Sequence, residues 1–192
     1  MKITVFTSNQ PRHLHLVNRL AAVAEEVYCV QEALTVRPGL LDDFFKKSEV
    51  MQTYFSYVVS AENQLFGDLG FMPVNAKSLC LRAGDLNYIT PKELGPALDA
   101  DLFVVFGSSY IKGWLVDFLV ERQAINIHMG LSPYYRGSSC NFWALYDQRP
   151  TYVGATIHLL SNGLDNGDML FHCLPKYNLE NPFLFTMRSV GV

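Results

Sequence analysis

The sequence has no surplus of basic residues: 15 Lys and Arg stand against 18 Asp and Glu, a formal net charge of -3 at pH 7. A surface that grips nucleic-acid phosphates needs the opposite balance, so no nucleic-acid partner is expected. There is no CxxC pair either. Cys29, Cys80, Cys140 and Cys173 lie far apart, which argues against a disulfide framework and for reduced thiols in the cytoplasm. No apolar run reaches the ~18 residues of a membrane span, and Met1-Lys2 opens straight into ITVF instead of a basic leader with an apolar core. Charged residues make up only 17%, while 49% of the 192 residues are hydrophobic. That balance suits one folded domain with a substantial core, and no repeat, low-complexity tract or linker divides it.

Residues 1–7 form a β-branched run that ends in Ser8-Asn9-Gln10-Pro11, after which Leu14, Leu16, Val17, Leu20, Ala21 and Val23 follow helical spacing. A second apolar run covers residues 27–30. Residues 40–66, with Leu41, Phe44, Phe45, Met51, Phe55, Val58 and Val59 at mixed three- and four-residue steps, predict a long helix with an aromatic side. Residues 79–81 predict a short strand, and residues 85–96 a loop in which Thr90-Pro91-Lys92-Glu93 is a capping signal. The continuous apolar run at 102–106, closed by Gly107-Ser108-Ser109, predicts a strand covered on both faces. A helix at 111–120 and a strand at 124–128 complete a crossover. A short helix at 139–146 and strands at 152–160 and 169–175 follow. Asn162-Gly163 and Asn166-Gly167 between the last two predict a tight antiparallel connection.

The segment "NIHMGLSPYYRG", residues 126–137, carries Asn126 and His128 two apart in a strand, hence on one face, just where the strand ends. Buried polar groups cost roughly 1–3 kcal/mol each when unpaired, and open parallel sheets bind ligands at their carboxyl ends, so the pair marks a candidate site. In "GATIHLLSNGLDNGDML" Gly154, Thr156 and His158 share a face, and Asp165 follows in a loop bracketed by Gly163 and Gly167. Asp165 can serve as a turn former, as a carboxylate facing an imidazole, or as both. A metal site built on His158, His172 and Cys173 is not expected, because adjacent strand residues face opposite ways.

In order, an Asn-x-His strand end, the turn "LSPYYRG", Gly-x-Thr-x-His and Leu-Asp-x-Gly resemble the enzymes that transfer formyl groups from 10-formyltetrahydrofolate. That family includes glycinamide ribonucleotide, methionyl-tRNA and sugar-nucleotide formyltransferases. The likeness is clearest over residues 107–170, about a third of the chain. It implies an α/β, Rossmann-like formyltransferase fold: a mostly parallel twisted sheet with helices on both faces and a final antiparallel strand pair, forming a single catalytic domain over residues 1–192. It also implies Asn126, His128 and Asp165 as catalytic residues, supported by His158. Asn126 and His128 would donate hydrogen bonds to the oxyanion that forms when an amine attacks the formyl carbon, and Asp165 would take the amine's proton. The cosubstrate 10-formyltetrahydrofolate would lie against Gly107, Tyr110, Ile111 and Lys112 on one side and Ser161, Asn162, Gly163 and Leu164 on the other.

For the acceptor, the resemblance points to Ser8, Asn9 and Arg12 after the first strand and to Tyr134, Tyr135, Arg136 and Gly137 in the turn, with Trp143 nearby. The first turn, "TSNQPRH", lacks the glycine-rich phosphate loop of the purine-pathway enzyme, and the further domain of the tRNA enzyme is not seen. An amino-sugar attached to a nucleotide is therefore the expected acceptor, with no membrane partner and a homodimer as the expected assembly. The chain stops soon after "NPFLFTMRSVGV", where the resembled enzymes continue, so a missing C-terminal extension is expected. The alternatives are hydrolysis of 10-formyltetrahydrofolate and a catalytically silent folate- or nucleotide-binding module.

Overall fold

The computed structural model describes residues 1–40, 44–178 and 180–191. Five strands, β1 (Lys2–Ser8), β2 (Glu26–Ala33), β3 (Ala76–Arg82), β4 (Leu102–Phe106) and β5 (Ile125–His128), run parallel in the order β3-β2-β1-β4-β5. β6 (Ala155–Leu159) lies antiparallel to β5, and β7 (Met169–Cys173) antiparallel to β6. This is the expected architecture of parallel units handing over to an antiparallel end.

Strand alternation sorts the core onto two faces. Ile3, Val5, Val27, Cys29 and Val104 pack with Val17 of α1 (Pro11–Ala21) on one face. Phe6, Val30, Phe103 and Val105 meet Leu115 and Leu119 of α4 (Trp114–Glu121) on the other. Leu115 and Leu119 are four apart and so share one helical face. The two faces of the apolar run at 102–106 are thus covered as expected, Val104 on one and Phe103 and Val105 on the other, and both faces of the sheet carry a helix.

Several element ends differ from the sequence expectation. β2 and β3 are longer than their apolar runs, because the parallel ladder from Val27↔Ala76 to Ala33↔Arg82 recruits polar residues into pairing. α2 (Glu49–Phe66) begins well after residue 40: the Ser48 side chain accepts the Met51 N–H at 3.3 Å, a cap that starts a new helix after one 3-10 turn at Phe44–Lys47. Leu41, counted in the apolar stripe of that helix, lies outside the described residues. The aromatic side of α2 packs outward onto other rings, Tyr54 on Phe142 and Phe183 at 5.9 and 5.6 Å between centroids. Residues 111–113 do not join α4, since Gly113 with φ +63° sets off the helix from the loop before it. The capping box at Thr90 forms as read, opening the short α3 (Pro91–Leu94).

Between β5 and β6, α5 (Cys140–Tyr146) forms as expected. The sequence reading missed α6 (Pro182–Met187), although its signal was present: Asn181 accepts the Leu184 N–H at 3.0 Å and Pro182 takes the first position. Phe185 of α6 is buried with Ala144 and Val153. Among the described residues no helix is long and apolar enough to cross a membrane.

The hairpin between β6 and β7 is held by Leu159 N–H donating to the Asp168 carbonyl at 2.9 Å. Gly167 sits so close to it that a Cβ would lie 1.8 Å from the Leu159 carbonyl oxygen. Gly167→Ala must therefore move backbone, and we expect a loss of about 1–3 kcal/mol, measured by denaturant unfolding.

Candidate active site

Strand order turns back between β1 and β4, so the loops leaving these neighbours diverge and open a crevice at their carboxyl ends. A cavity of about 450 Å³ occupies it and continues to the end of β5. Its walls are the loop after β4, including Gly107, Tyr110 and Ile111, and the β6–β7 loop, including Ser161, Gly163, Leu164 and Asp165. Asn126, His128 and His158 form its floor.

The antiparallel pairing of β5 with β6 sets His158 directly opposite Asn126 and Thr156 opposite His128. Paired residues project to the same side, so two strands supply four polar groups to one face. Asp165 reaches that face from the hairpin, with φ +45°, a left-handed conformation that an Asp tolerates better than most residues. Its Oδ1 accepts from Asn126 Nδ2 at 3.2 Å, and its Oδ2 accepts from the Gly137 N–H at 2.8 Å. His128 Nδ1 lies 3.3 Å from Oδ2, and His158 Nε2 lies 3.9 Å from Oδ1. The Ser132 hydroxyl also donates to the Asp165 carbonyl at 3.1 Å. The carboxylate is 11% exposed. Burial pushes its pKa up, but contact with the His158 ring, the hydrogen bond from the Gly137 amide and the positive charge that His128 and His158 carry when protonated outweigh this and hold it below the ordinary 3.8.

Protonation follows from the partners. His158 Nδ1 faces the Leu159 carbonyl at 2.8 Å and so carries the proton, which leaves Nε2 to accept from Asn126 Nδ2 at 3.0 Å. Both hydrogens of the Asn126 amide nitrogen are then engaged, one by His158 and one by Asp165. His128 Nε2 donates to the Tyr135 carbonyl at 3.0 Å, and Nδ1 donates to Asp165 when the ring is charged. The donors read from the sequence thus satisfy one another within the cluster. Cys140, beside it, has its thiol pushed up to about 11, by burial first and then by the Asp165 charge, which leaves it a poor nucleophile.

Of the acceptor residues read from the sequence, Arg12 and Gly137 line the cavity, and Ser8, Asn9, Tyr134, Tyr135 and Arg136 do not. The Ser8 hydroxyl donates to the Glu32 carbonyl at 3.0 Å, and Asn9 bridges both backbone groups of Leu34 at 2.8 and 3.0 Å. Arg12 borders the cavity, but its Nη1 and its N–H both contact Glu62 Oε1, at 2.5 and 3.3 Å. Pro11 has no N–H and that of His13 bonds to the Gln10 carbonyl, so the start of α1 has no donor to spare in its first three residues. Gly137 reaches the cavity wall, whereas the rings of Tyr134 and Tyr135 pack edge-to-face on Tyr152, and Trp143 packs among Phe142 and Tyr146. Arg136, Lys112 and Asn162 do not line the cavity, although the Asn162 carbonyl accepts from the Tyr110 hydroxyl at 2.9 Å.

Sequence reasoning missed His13, which is 1% exposed, with Nε2 lacking a hydrogen-bond partner, and which fills the space a Cβ on Gly107 would need. Burial, then the Arg12 charge, lowers its pKa well below the ordinary value, so it is neutral. It also missed Ser108, Ser109, Ser138 and Ser139 of the cavity wall, polar loop residues that no motif marks.

The formyl transferase family model matches residues 91–176. Among curated proteins, methionyl-tRNA formyltransferase of Thermosynechococcus vestitus is 36% identical over 85 residues, 44% of this chain and 25% of that protein. The enzyme of the same name from Clostridium acetobutylicum is 34% identical over 101 residues, 52% of this chain and 29% of that protein. The chain thus spans about a quarter of the length of the curated relatives it matches. Among solved structures, phosphoribosylglycinamide formyltransferase from Anaplasma phagocytophilum superposes with a TM-score of 0.58 at 17% identity, covering 100% of this chain and 81% of that one. A sugar N-formyltransferase from a Shewanella species gives 0.56 at 18% identity, covering 100% and 65%. In sequence from residue 91 to 176, and in fold along its whole length, the chain resembles the formyltransferase family.

Proposed function

We propose that the chain transfers a formyl group from 10-formyltetrahydrofolate to the amine of a small acceptor, with a nucleotide-linked amino-sugar as the acceptor class. The observation that carries this reading is a buried, ionised Asp165 flanked by Asn126, His128 and His158 at the floor of a cavity. Attack of the amine on the formyl carbon places negative charge on the formyl oxygen. An N–H of Asn126, exchanged from His158 or Asp165 to that oxygen, together with a charged His128, stabilises it. The amine's proton passes to Asp165, which hands it to the folate nitrogen as the bond from the formyl carbon to that nitrogen breaks, so that the formamide and tetrahydrofolate leave and the carboxylate is restored. The folate site fits the walls present: a crevice with apolar lining at Val105, Ile111, Val116 and Leu160, bordered by loop backbone and opening onto Asp165.

The choice of acceptor rests on charge. Arg12 is already paired with Glu62, and the first turn of α1 offers no spare donor, which speaks against a phosphate seated there. The net charge of -3 speaks against tRNA. Incubation with 10-formyltetrahydrofolate and a panel of nucleotide-linked amino-sugars, glycinamide ribonucleotide and charged initiator tRNA, with mass analysis of each, tests the reading. Formyl gain on an amino-sugar supports it. Gain only on another acceptor reassigns the substrate, and folate turnover without an acceptor identifies a hydrolase.

Asp165→Asn is expected to lower the formylation rate roughly 100- to 10,000-fold while leaving folate affinity near that of the parent, measured by steady-state kinetics and by ligand titration. Asn126→Ala should cost about 100- to 1,000-fold in kcat. The stability that Asp165 contributes has a defined pH window. Because its folded pKa lies below the ordinary 3.8, that contribution is present above this value and is lost as pH falls through the lower folded one. Denaturation curves of the parent and of Asp165→Asn should therefore differ by a constant amount at neutral pH and converge in acid.

A further inference from the structure

The loop of residues 109–112, of which residues 109–111 line the cavity, belongs to neither β4 nor α4, and one side chain from the end of β2 and one from the turn after β3 hold it. Glu32, at the end of β2 and 2% exposed, accepts the Ser109 N–H at Oε2, 2.6 Å, and the Ser109 hydroxyl at Oε1, 2.9 Å. The same Oε1 accepts the Gly84 N–H at 2.7 Å. Asn87, in the turn after β3, accepts the Lys112 N–H at 2.8 Å and donates to the Tyr110 carbonyl at 3.0 Å. The Trp114 indole, at the first residue of α4, donates to the Ile89 carbonyl at 3.0 Å. The loop is therefore bonded at residues 110 and 112 to Asn87 and at residue 109 to Glu32, which in turn accepts from Gly84 of the same 84–89 turn.

Glu32 is the informative member. Among the described residues it has no ion-pair partner, and a buried carboxylate without a cation is costly unless donors surround it. An apolar side chain at the end of β2 would avoid that cost. What the carboxylate adds is a fixed position for Ser109 relative to β2 and β3. Tyr110 carries the order onward, because its hydroxyl donates to the Asn162 carbonyl of the opposite wall.

We propose that Glu32 and Asn87 are positioning residues that hold the 109–112 wall in the shape that receives the folate donor, and so set donor affinity without touching the reacting atoms. This rests on the folate reading given above. Removing either one frees backbone groups of the wall and lets it sample other shapes, which weakens binding; the steps at Asp165 continue once the donor is bound.

The test uses the full chain as parent, Asn87→Ala, Asn87→Asp and Glu32→Gln. Amide hydrogen exchange is measured over residues 107–114, folate affinity by titration with 10-formyltetrahydrofolate, and KM and kcat by formyl transfer. Asn87→Ala should speed exchange at residues 109–112 and raise the donor KM roughly tenfold, with kcat within about twofold. Asn87→Asp, which keeps the acceptor for Lys112 and loses the donor to Tyr110, should fall between Ala and the parent. Unchanged exchange, unchanged affinity despite a loosened wall, or loss of kcat in step with melting temperature overturns the proposal. If Glu32→Gln does not fold, the Asn87 pair, on a surface turn, decides. A parent chain that shows no folate affinity overturns the donor reading and with it the ligand named here, whereas exchange in the variants still decides whether the wall is clamped.

Discussion

The site depends on keeping one carboxylate ionised out of water. Asp165 is mostly buried, and such a group persists only where donors reach it. It receives one from the strand end, one from the backbone of the 131–137 turn, and the rings of two histidines stand close. These partners come from separate stretches of chain, so the carboxylate acts as the point at which β5, the turn after it and the β6–β7 hairpin are fixed relative to one another. Polar residues that look expensive singly are affordable as a closed set.

The sheet explains why that set forms where it does. Parallel strands β1 and β4 leave the crevice, and the change to antiparallel pairing at β6 folds the chain back so that His158 faces Asn126. β6, reached through the turn after β5 and α5, runs antiparallel to β5, and the loop of residues 160–168 after it, with Gly167 against the Leu159 carbonyl, brings Asp165 back over the strand ends.

Much of the fold was legible in the sequence because its signals are local. The run at 102–106 and the capping box at Thr90 each name their own element, whereas the Asn-Gly dipeptides lie in a longer loop, residues 160–168, and neither makes a two-residue turn. Misreadings arose where a distant partner decided. The ends of β2 and β3 follow their ladder rather than their hydrophobicity, and the aromatic stripe at 45–59 is divided by a serine cap that periodicity cannot see. In the site, the alternation of Asn126 and His128 was visible. That each would spend its hydrogens on a neighbour was not, since hydrogen bonding between residues 126, 158 and 165 has no trace in spacing.

Arg12 shows the same division. As a sequence feature it is a cation beside a helix start, suited to an anion, yet Glu62, fifty positions on, has taken that place. Glu32 and Asn87 carry no motif at all and become notable only because the loop after β4 lies on them. Periodicity and short-range turn chemistry, which act within a few residues, were enough to give the strands, their order of types and the identity of the polar cluster. Which charges remain free, which donors are spent and which walls are held rigid was decided by folding alone, because each depends on atoms brought within about 3 Å by contacts that span dozens of residues.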